Sequence, residues 1–378
     1  MVEGYEKRMD YSRFRMKEYP VRHKRKVPFD PPIRLNLEYR KMLSEIRTLD
    51  RKLGDMILSG SDYLELVQDA YADNIHWSVK IEGNDLSLEE VKKLTTLFTE
   101  GKAEEVNQGP YQEILNHLHS FFVENIFDLP WKMGHVLKAH SILMSGVIPQ
   151  GAVGHMRTSP SAVVGADGKE YFIACPPEHI EEEMRSLLEW LEESPYDEIV
   201  TSVLFFHEFE SIHPFSDGNG RTGRTLFQIL LQELGLRSAG LCKFEQKLLR
   251  DRENYYSLLA YVDGTSEYYP LVMYVTEALL YAYREAVEVF EKKDVLKDLD
   301  ENSKVFAAKA KKQRSFTLAD AQSWIEPLGE QTVRSKLNEL VEMGVLRKQG
   351  RTKGMKFEFN DPLRVVIRED NDDSTKRA

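Results

Sequence analysis

Val200, Val203, Leu204, Phe205, Phe206, Phe209 and Ile212 cover one predicted helix with apolar side chains nearly all round. A helix with no polar face is buried, so the rest of the chain has to enclose it. From Leu35 to Phe290 the dominant period is helical. Leu64, Val67, Ala70, Tyr71 and Ile75 recur at i, i+3 and i+4 spacings, as a one-faced helix requires. Residues 84–98 read as another helix, with Ser87 before Glu89 and Glu90 as its cap. Residues 114–122, 131–144, 180–191, 222–234 and 271–290 continue the series. One stretch departs from it. Ala162, Val163 and Val164, a turn at Asp167-Gly168, and Tyr171, Phe172 and Ile173 predict a small β-hairpin, closed by Pro176-Pro177. A single hairpin among many helices reads as a surface excursion. The expected fold class is therefore mainly α.

The two ends read differently. Residues 1–35 mix Arg22, Lys24, Arg25 and Lys26 with four prolines at 20, 28, 31 and 32. Proline disfavours helix before it, which predicts an extended or loosely packed arm. Residues 301–360 hold 12 Lys+Arg against 7 Asp+Glu, net +5, which leaves −16 for the rest of a chain whose total is −11. Two helical patterns there, at 318–325 and 332–343, precede strands at 345–348 and 356–359 around a basic tip. Helix, turn, helix and hairpin resemble a winged helix. Arg334 and Lys336 on its second helix, and Arg351 and Lys353 on its wing, are candidates for DNA contact. The competing reading is a module that only packs on the body or a partner subunit. The polar stretch 367–378 is expected to be disordered. With only two cysteines, at 175 and 242, a disulfide framework is excluded. No signal peptide and no run of about 18 apolar residues stands out, which predicts a soluble, cytoplasmic protein with no membrane partner.

After the buried helix comes His213-Pro214-Phe215-Ser216-Asp217-Gly218-Asn219-Gly220-Arg221-Thr222-Gly223-Arg224. Three features meet in this loop. Gly218 and Gly220 let the backbone turn sharply and come close to a ligand. The N–H groups opening the following helix favour an anion. Arg221 and Arg224 project from the first turn on about one side, as a phosphate fork. Asp217 adds a hard oxygen suited to Mg²⁺, and His213 can take a proton near neutral pH. Together these describe a site for a metal-bound polyphosphate beside a general base. The bland alternative is a glycine-rich turn with two solvated arginines. A zinc site built on His207 is rejected, because His207 and His213 are six apart rather than the four that face one side of a helix.

This string resembles the signature of the Fic family, His-x-Phe-x-Asp/Glu-Gly-Asn-Gly-Arg-x-x-Arg, at every defined position. The resemblance covers residues 64–280. It implies a helical core at 101–298, behind an N-terminal region at 1–100 and before the winged-helix-like domain at 299–366. It also implies transfer of AMP from ATP, with Mg²⁺, to a Ser, Thr or Tyr hydroxyl of a target protein. His213 is then the catalytic base, and Asp217 holds the metal. Gly218, Asn219 and Gly220 form an anion hole that includes the Asn219 side chain. Arg221, Thr222, Gly223 and Arg224 complete the ATP site. Phe215 anchors the loop. The hairpin corresponds to the family's flap, which places Val163, Val164, Gly165 and Ala166 beside the nucleotide and presents a target strand by β-addition. Tyr255 and Tyr256 resemble the aromatic pair beside adenine, although Asp263 stands where the family often has Asn. Homodimerisation, frequent in regulated members, is a further expectation.

Ser78-Val79-Lys80-Ile81-Glu82-Gly83 fits the family's inhibitory motif. The resemblance implies that Glu82 forms a bidentate pair with Arg224 and keeps it from the γ-phosphate, with Ser78 steadying the helix. Two rival readings stand beside this one. The chain is a regulator that binds DNA or a partner through 301–365, or it removes AMP, with Glu82 aligning a water.

Overall fold

The structure is a computed structural model that describes residues 9–103, 108–122, 128–165, 168–249, 251–313, 315–350 and 355–361. The fold is mainly helical, as the periodicity predicts. The body comprises Leu37–Asp55 (α1), Gly60–Lys80 (α2), Leu88–Thr99 (α3), Gln108–Phe122 (α4), Met133–Met144 (α5), Ile180–Glu192 (α6) and Glu198–Ile212 (α7). Asn219–Glu233 (α8), Phe244–Leu249 (α9), Arg252–Thr265 (α10) and Tyr269–Glu291 (α11) complete it. Val21–Arg22 (β1), Ala162–Val164 (β2) and Glu170–Ile173 (β3) form one small sheet. Beyond the body lie Glu301–Lys311 (α12), Leu318–Gln322 (α13), Glu330–Glu342 (α14), Leu346–Gln349 (β4) and Lys356–Phe359 (β5).

Helix α7 is the centre, packed on by α6, α8 and α11. Its Val203, Leu204, Phe205, Phe209 and Ile212 are fully buried. At about 25 cal/mol per Å², such side chains contribute roughly 1.5–3 kcal/mol each, so α7 ties the body together. Asp197 caps it by accepting the N–H groups of Ile199 and Val200. Several starts differ from the periodicity, two of them at identifiable caps. The helix expected from 84 begins at Leu88, because Asn84 Oδ1 accepts the Leu86 N–H in a turn, after which Ser87 and Glu90 form a capping box. The helix expected from 222 begins at Asn219, with Gly218 in the left-handed region as its cap. Helix α2 buries Val67, Ile75 and Val79 against α3 and α4.

The hairpin is more than an excursion. Strand β1 of the arm pairs in parallel with β3, Val21 opposite Phe172, giving the order β1-β3-β2 and leaving β2 as the free edge. Val21, Phe172 and Ala174 bury one another there. The arm itself is wedged into the body rather than loosely laid on it. Phe29 is 3% exposed and packs on Trp190. His23 Nε2 bonds Glu183 Oε2 at 2.7 Å, Lys26 pairs with Glu208 at 2.5 Å, and the Cys175 thiol donates to Glu183 Oε1. Isolated charges and apolar residues between prolines carry no period from which this docking can be read.

The C-terminal module has its own core of Leu299, Phe306, Phe316, Val333, Leu337, Leu340, Leu346 and Phe357, and Ile57 of the body inserts into it. Lys311 Nζ bonds the carbonyls of Gly54 and Met56 at 2.6 and 2.7 Å. The Gly60 N–H bonds the Gly344 carbonyl at 2.9 Å. A side chain at Gly60 would overlap Asn360, so the module is seated directly on the start of α2. Arg334 pairs with Glu330 and Lys336 with Asp300, so neither charge of α14 is free. Arg351, Lys353 and the stretch 367–378 lie outside the described residues. Among the described residues no helix is long and apolar enough to cross a membrane.

Candidate active site

Helix α7 ends at His213, whose backbone is left-handed, φ 53 and ψ 62. That reversal turns the chain into the loop. Phe215 is fully buried, and its ring stacks on His140 of α5 with centroids 3.8 Å apart. His140 Nδ1 accepts the Gly154 N–H at 2.9 Å, so its Nε2 carries the proton and donates to the Asp217 carbonyl at 3.0 Å. Asn219 was expected to lend its side chain to an anion hole. Instead its carboxamide accepts from the Phe215 N–H at 2.9 Å and donates to the Phe215 carbonyl at 2.8 Å, so the side chain closes the loop. Gly218 has φ +77 and lies where a Cβ would overlap Met144 Sδ, so both conformation and space require glycine.

At the start of α8 the first N–H groups have no carbonyl ahead of them. Gly220 lies beside the Glu82 carboxylate and Arg224 Nη1, and a Cβ there would overlap the former. Arg221 is held by Glu113 at 2.6 Å and Asp217 at 2.7 Å. Arg224 is buried. Its Nε donates to Ser78 Oγ at 3.0 Å, and its Nη2 donates to the Ser78 carbonyl at 2.8 Å and to Glu82 Oε1 at 2.7 Å. The expected bidentate pair is therefore a single contact, because the Ser78 hydroxyl occupies the guanidinium edge that a second carboxylate oxygen would need. Glu245, fully buried, stands behind with Oε2 at 3.9 Å from Arg224 Nε. Burial raises the Glu82 carboxyl, but the Arg224 charge and hydrogen bond outweigh it and hold it below the usual range. Burial pushes Glu245 up to about 7 and Glu210 up to about 8.

Thr222 and Gly223 are placed differently from expectation. Thr222 is fully buried and its N–H bonds the Gly218 carbonyl. Gly223 faces α7, where a Cβ would overlap Glu210. Gly223 thus lets α8 lie close against α7. Val163 and Val164, 42% and 56% exposed, lie on the free edge strand β2, and the Gly165 N–H bonds the Lys169 carbonyl. Ala166 lies outside the described residues. Tyr255 is buried and Tyr256 is 40% exposed, and both phenols are close enough to Arg224 to feel its charge. Arg252 sits 5.5 Å over the Tyr256 ring. Asp263 is buried and accepts the Ser211 hydroxyl at 2.6 Å. His207 is a core histidine, its Nε2 against the Leu259 carbonyl.

His213 is half-buried, and burial lowers its imidazole below the ordinary value. Its Nδ1 lies 3.2 Å from the Glu210 carbonyl. A carbonyl only accepts, so Nδ1 carries the proton and Nε2 is left as a base. Asp217 Oδ1 takes the Gly218 N–H and Arg221, and its side chain is 60% exposed. That leaves its second oxygen for a hard cation, so the residue fits Mg²⁺. Four neighbours escaped the sequence reading: Glu113, His140, Arg157 and Glu245. Each is one polar residue within an apolar or irregular stretch, and only its distant partner reveals its role.

Comparison with known proteins is consistent with this geometry. Residues 130–231 match the model of the Fic/DOC family. Over 104 residues, 27% of this chain, it is 36% identical to a probable protein adenylyltransferase of Aquifex aeolicus, covering 29% of that protein. It is 25% identical over 245 residues, 63% of this chain, to protein adenylyltransferase fic-1 of Caenorhabditis elegans, covering 45% of that protein. Over 271 residues, 66% of this chain, it is 23% identical to protein adenylyltransferase Fic of Nematostella vectensis, covering 60% of it. The chain thus spans less than two thirds of the length of these relatives. In fold it resembles a Fic family protein from Desulfovibrio desulfuricans, with TM-score 0.59 and 24% identity over 88% of this chain and 98% of that one. It also resembles Fic-1 of C. elegans, with TM-score 0.52 and 20% identity over 68% and 73%. The loop at 213–224, with α5 to α7 and the first turns of α8, lies within the stretch that matches the Fic/DOC family.

Proposed function

We propose that this chain is a protein adenylyltransferase that moves AMP from ATP to a Ser, Thr or Tyr hydroxyl of a protein target, itself included, and that Glu82 holds it in a restrained state. The observation that carries the reading is the open N-terminus of α8, with His213 at its edge, Arg221 in its first turn and Arg224 in its second. The similarity to proteins named protein adenylyltransferases supports the same chemistry.

In this reading the polyphosphate of ATP lies on the Asn219 and Gly220 N–H groups, and on that of Gly218 once it leaves Asp217 Oδ1, where the helix dipole favours negative charge. Arg221 takes the β-phosphate region and Arg224 the γ-phosphate. His213 Nε2 accepts the proton of the target hydroxyl. The hydroxyl oxygen forms a bond to the α-phosphorus as the bond to pyrophosphate breaks. Asp217 would hold Mg²⁺, which when bound neutralises phosphate charge. The exposed edge of β2 pairs with an extended target segment, bringing its hydroxyl to His213. Tyr256 offers a face to the base.

Restraint follows from Arg224. With Ser78 and Glu82 on Nε and Nη2, the guanidinium has to leave α2 before it can grip a γ-phosphate. A misplacement of about 1 Å at the reacting centre costs on the order of 10²-fold in rate. We read α12–α14 with β4–β5 as winged-helix-like from their order. The rival DNA-binding reading finds no support in α14, whose Arg334 and Lys336 are already paired.

The test is incubation with ATP labelled on the α-phosphate and Mg²⁺ for the parent chain, Glu82→Gly and Glu82→Gly/His213→Ala. Labelled protein in the second alone supports the reading. Label persisting without His213 overturns the base assignment. A parent that strips AMP from a modified protein, while Glu82→Gly cannot, would make Glu82 the group that aligns a hydrolytic water.

A further inference from the structure

Arg157 stands in the turn between α5 and β2, and it is 7% exposed. Its Nε donates to the His213 carbonyl at 2.7 Å. Its Nη2 donates to the carbonyls of Cys175 at 2.5 Å and Ile212 at 3.2 Å, and its Nη1 to that of Ser159 at 2.8 Å. Its own N–H bonds the Pro214 carbonyl at 2.9 Å. One side chain thus joins both feet of the β2–β3 hairpin, Ser159 and Cys175, to Ile212 and His213 at the α7 reversal, and the backbone of the same residue holds Pro214.

Two features make this more than a tie. The first is where it grips. A left-handed backbone at a residue other than glycine costs of order 1 kcal/mol or more and persists only when neighbours over-determine it. Arg157 holds the carbonyls on either side of that reversal, Ile212 and His213. The second is its charge. Among the described residues, the hydrogen-bond partners of the buried guanidinium are all carbonyls, and burying a cation without a carboxylate costs several kcal/mol. A neutral amide would join carbonyls more cheaply. The nearby group that gains from a fixed positive charge is the His213 imidazole, which Arg157 opposes protonating, while Glu82 and Asp217 act the other way and burial acts with it.

We propose that Arg157 is a positioning residue for the transfer reaction, fixing the direction of the His213 imidazole relative to the hairpin and helping to keep that imidazole in its neutral, proton-accepting form. The assignment rests on His213 as the base of the proposed transfer. Because Arg157 spans His213 and the hairpin, it sets the imidazole in register with whatever hydroxyl the β2 edge presents. Among the described residues none of its hydrogen bonds reaches α8, so nucleotide binding should not depend on it.

The test uses the full chain with Glu82→Gly, alone and with Arg157→Lys or Arg157→Met. NMR titration of the His213 ring follows its protonation, and AMP transfer is measured against pH. Arg157→Met should move the His213 titration and the acid limb of the rate profile upward. It should lower kcat on the order of 10²-fold and leave KM for ATP within about 3-fold. Arg157→Lys keeps the charge but has too few donors for four carbonyls. It should leave the titration in place and recover part of kcat. A titration that does not move in Arg157→Met overturns the charge assignment, and an unchanged kcat overturns the positioning. Equal losses of kcat and ATP affinity, or failure of both variants to fold, would make Arg157 a general structural residue and sink the proposal. If the Glu82→Gly chain transfers no AMP at all, the proposed function fails, and the titration still decides what Arg157 does to His213.

Discussion

Glu82→Gly tests the restraint most directly, and its size follows from the contacts. Glu82 Oε1 and Arg224 Nη2 are 2.7 Å apart, with the arginine side chain 4% exposed and the glutamate 29%. Both are well screened from solvent, so the pair belongs with charge-assisted bonds of about 1.5–3 kcal/mol rather than with surface ion pairs. At 1.4 kcal/mol per decade, removing it should raise the fraction of Arg224 free to bind a γ-phosphate roughly 10- to 100-fold. The two bonds from Arg224 to Ser78 remain in this variant, and Glu245 still stands 3.9 Å away, so release is partial and the guanidinium stays in the site. The assay is initial-rate incorporation of AMP from α-labelled ATP at fixed Mg²⁺, below saturating ATP, by parent and variant. Glu82→Asp should fall between them, because the shorter acid reaches Nη2 poorly. Equal rates in parent and Glu82→Gly would refute the restraint, since the contact would then cost the enzyme nothing.

Other outcomes follow from the same structure. His213→Ala should abolish transfer while leaving ATP affinity, read by calorimetry, largely intact, because in the proposed reaction the imidazole acts on the hydroxyl and not on the phosphates. Ser78→Ala should release Arg224 less than Glu82→Gly does, by about 1.5 kcal/mol because only the donor of that bond is charged, read as a roughly tenfold rise in AMP incorporation. Glu210 titrates near 8 when folded against 4.5 in the unfolded chain, so its contribution to stability is full below about 4.5 and is lost as pH rises through about 8. Glu210→Gln should therefore flatten the decline of the thermal midpoint between pH 6 and 8, and an unchanged slope would show that this carboxyl does not titrate there. Gly60→Ala should cost about 1–3 kcal/mol in denaturant unfolding, because the added methyl overlaps Asn360 of the C-terminal module.

How the site could be read in advance depended on the range of each signal. The apolar residues of α7, the capping residue Ser87 and the glycines of the loop are properties of neighbouring residues. Periodicity and capping chemistry locate them without knowledge of the fold. The contiguous string from His213 to Arg224 likewise carried base, anion site and arginines together. Within it, side-chain directions were not legible. Whether Asn219 turned to an anion or back to Phe215, and whether Thr222 faced ligand or core, depended on how α8 lay against α5 and α7.

What only the tertiary structure decided lies at long separation. Arg224 meets Ser78 and Glu82 across 146 and 142 residues, Arg221 meets Glu113 across 108, and Arg157 reaches His213 across 56. The pairing of β1 with β3 and the insertion of Ile57 into the C-terminal module are of the same kind. A helix start or a glycine turn is settled by energies within a few residues of chain. A buried arginine has no local preference among distant carbonyls and carboxylates, and its partner is fixed only when the hydrophobic faces of α2, α4, α7 and α8 have packed and left it one place to satisfy its donors.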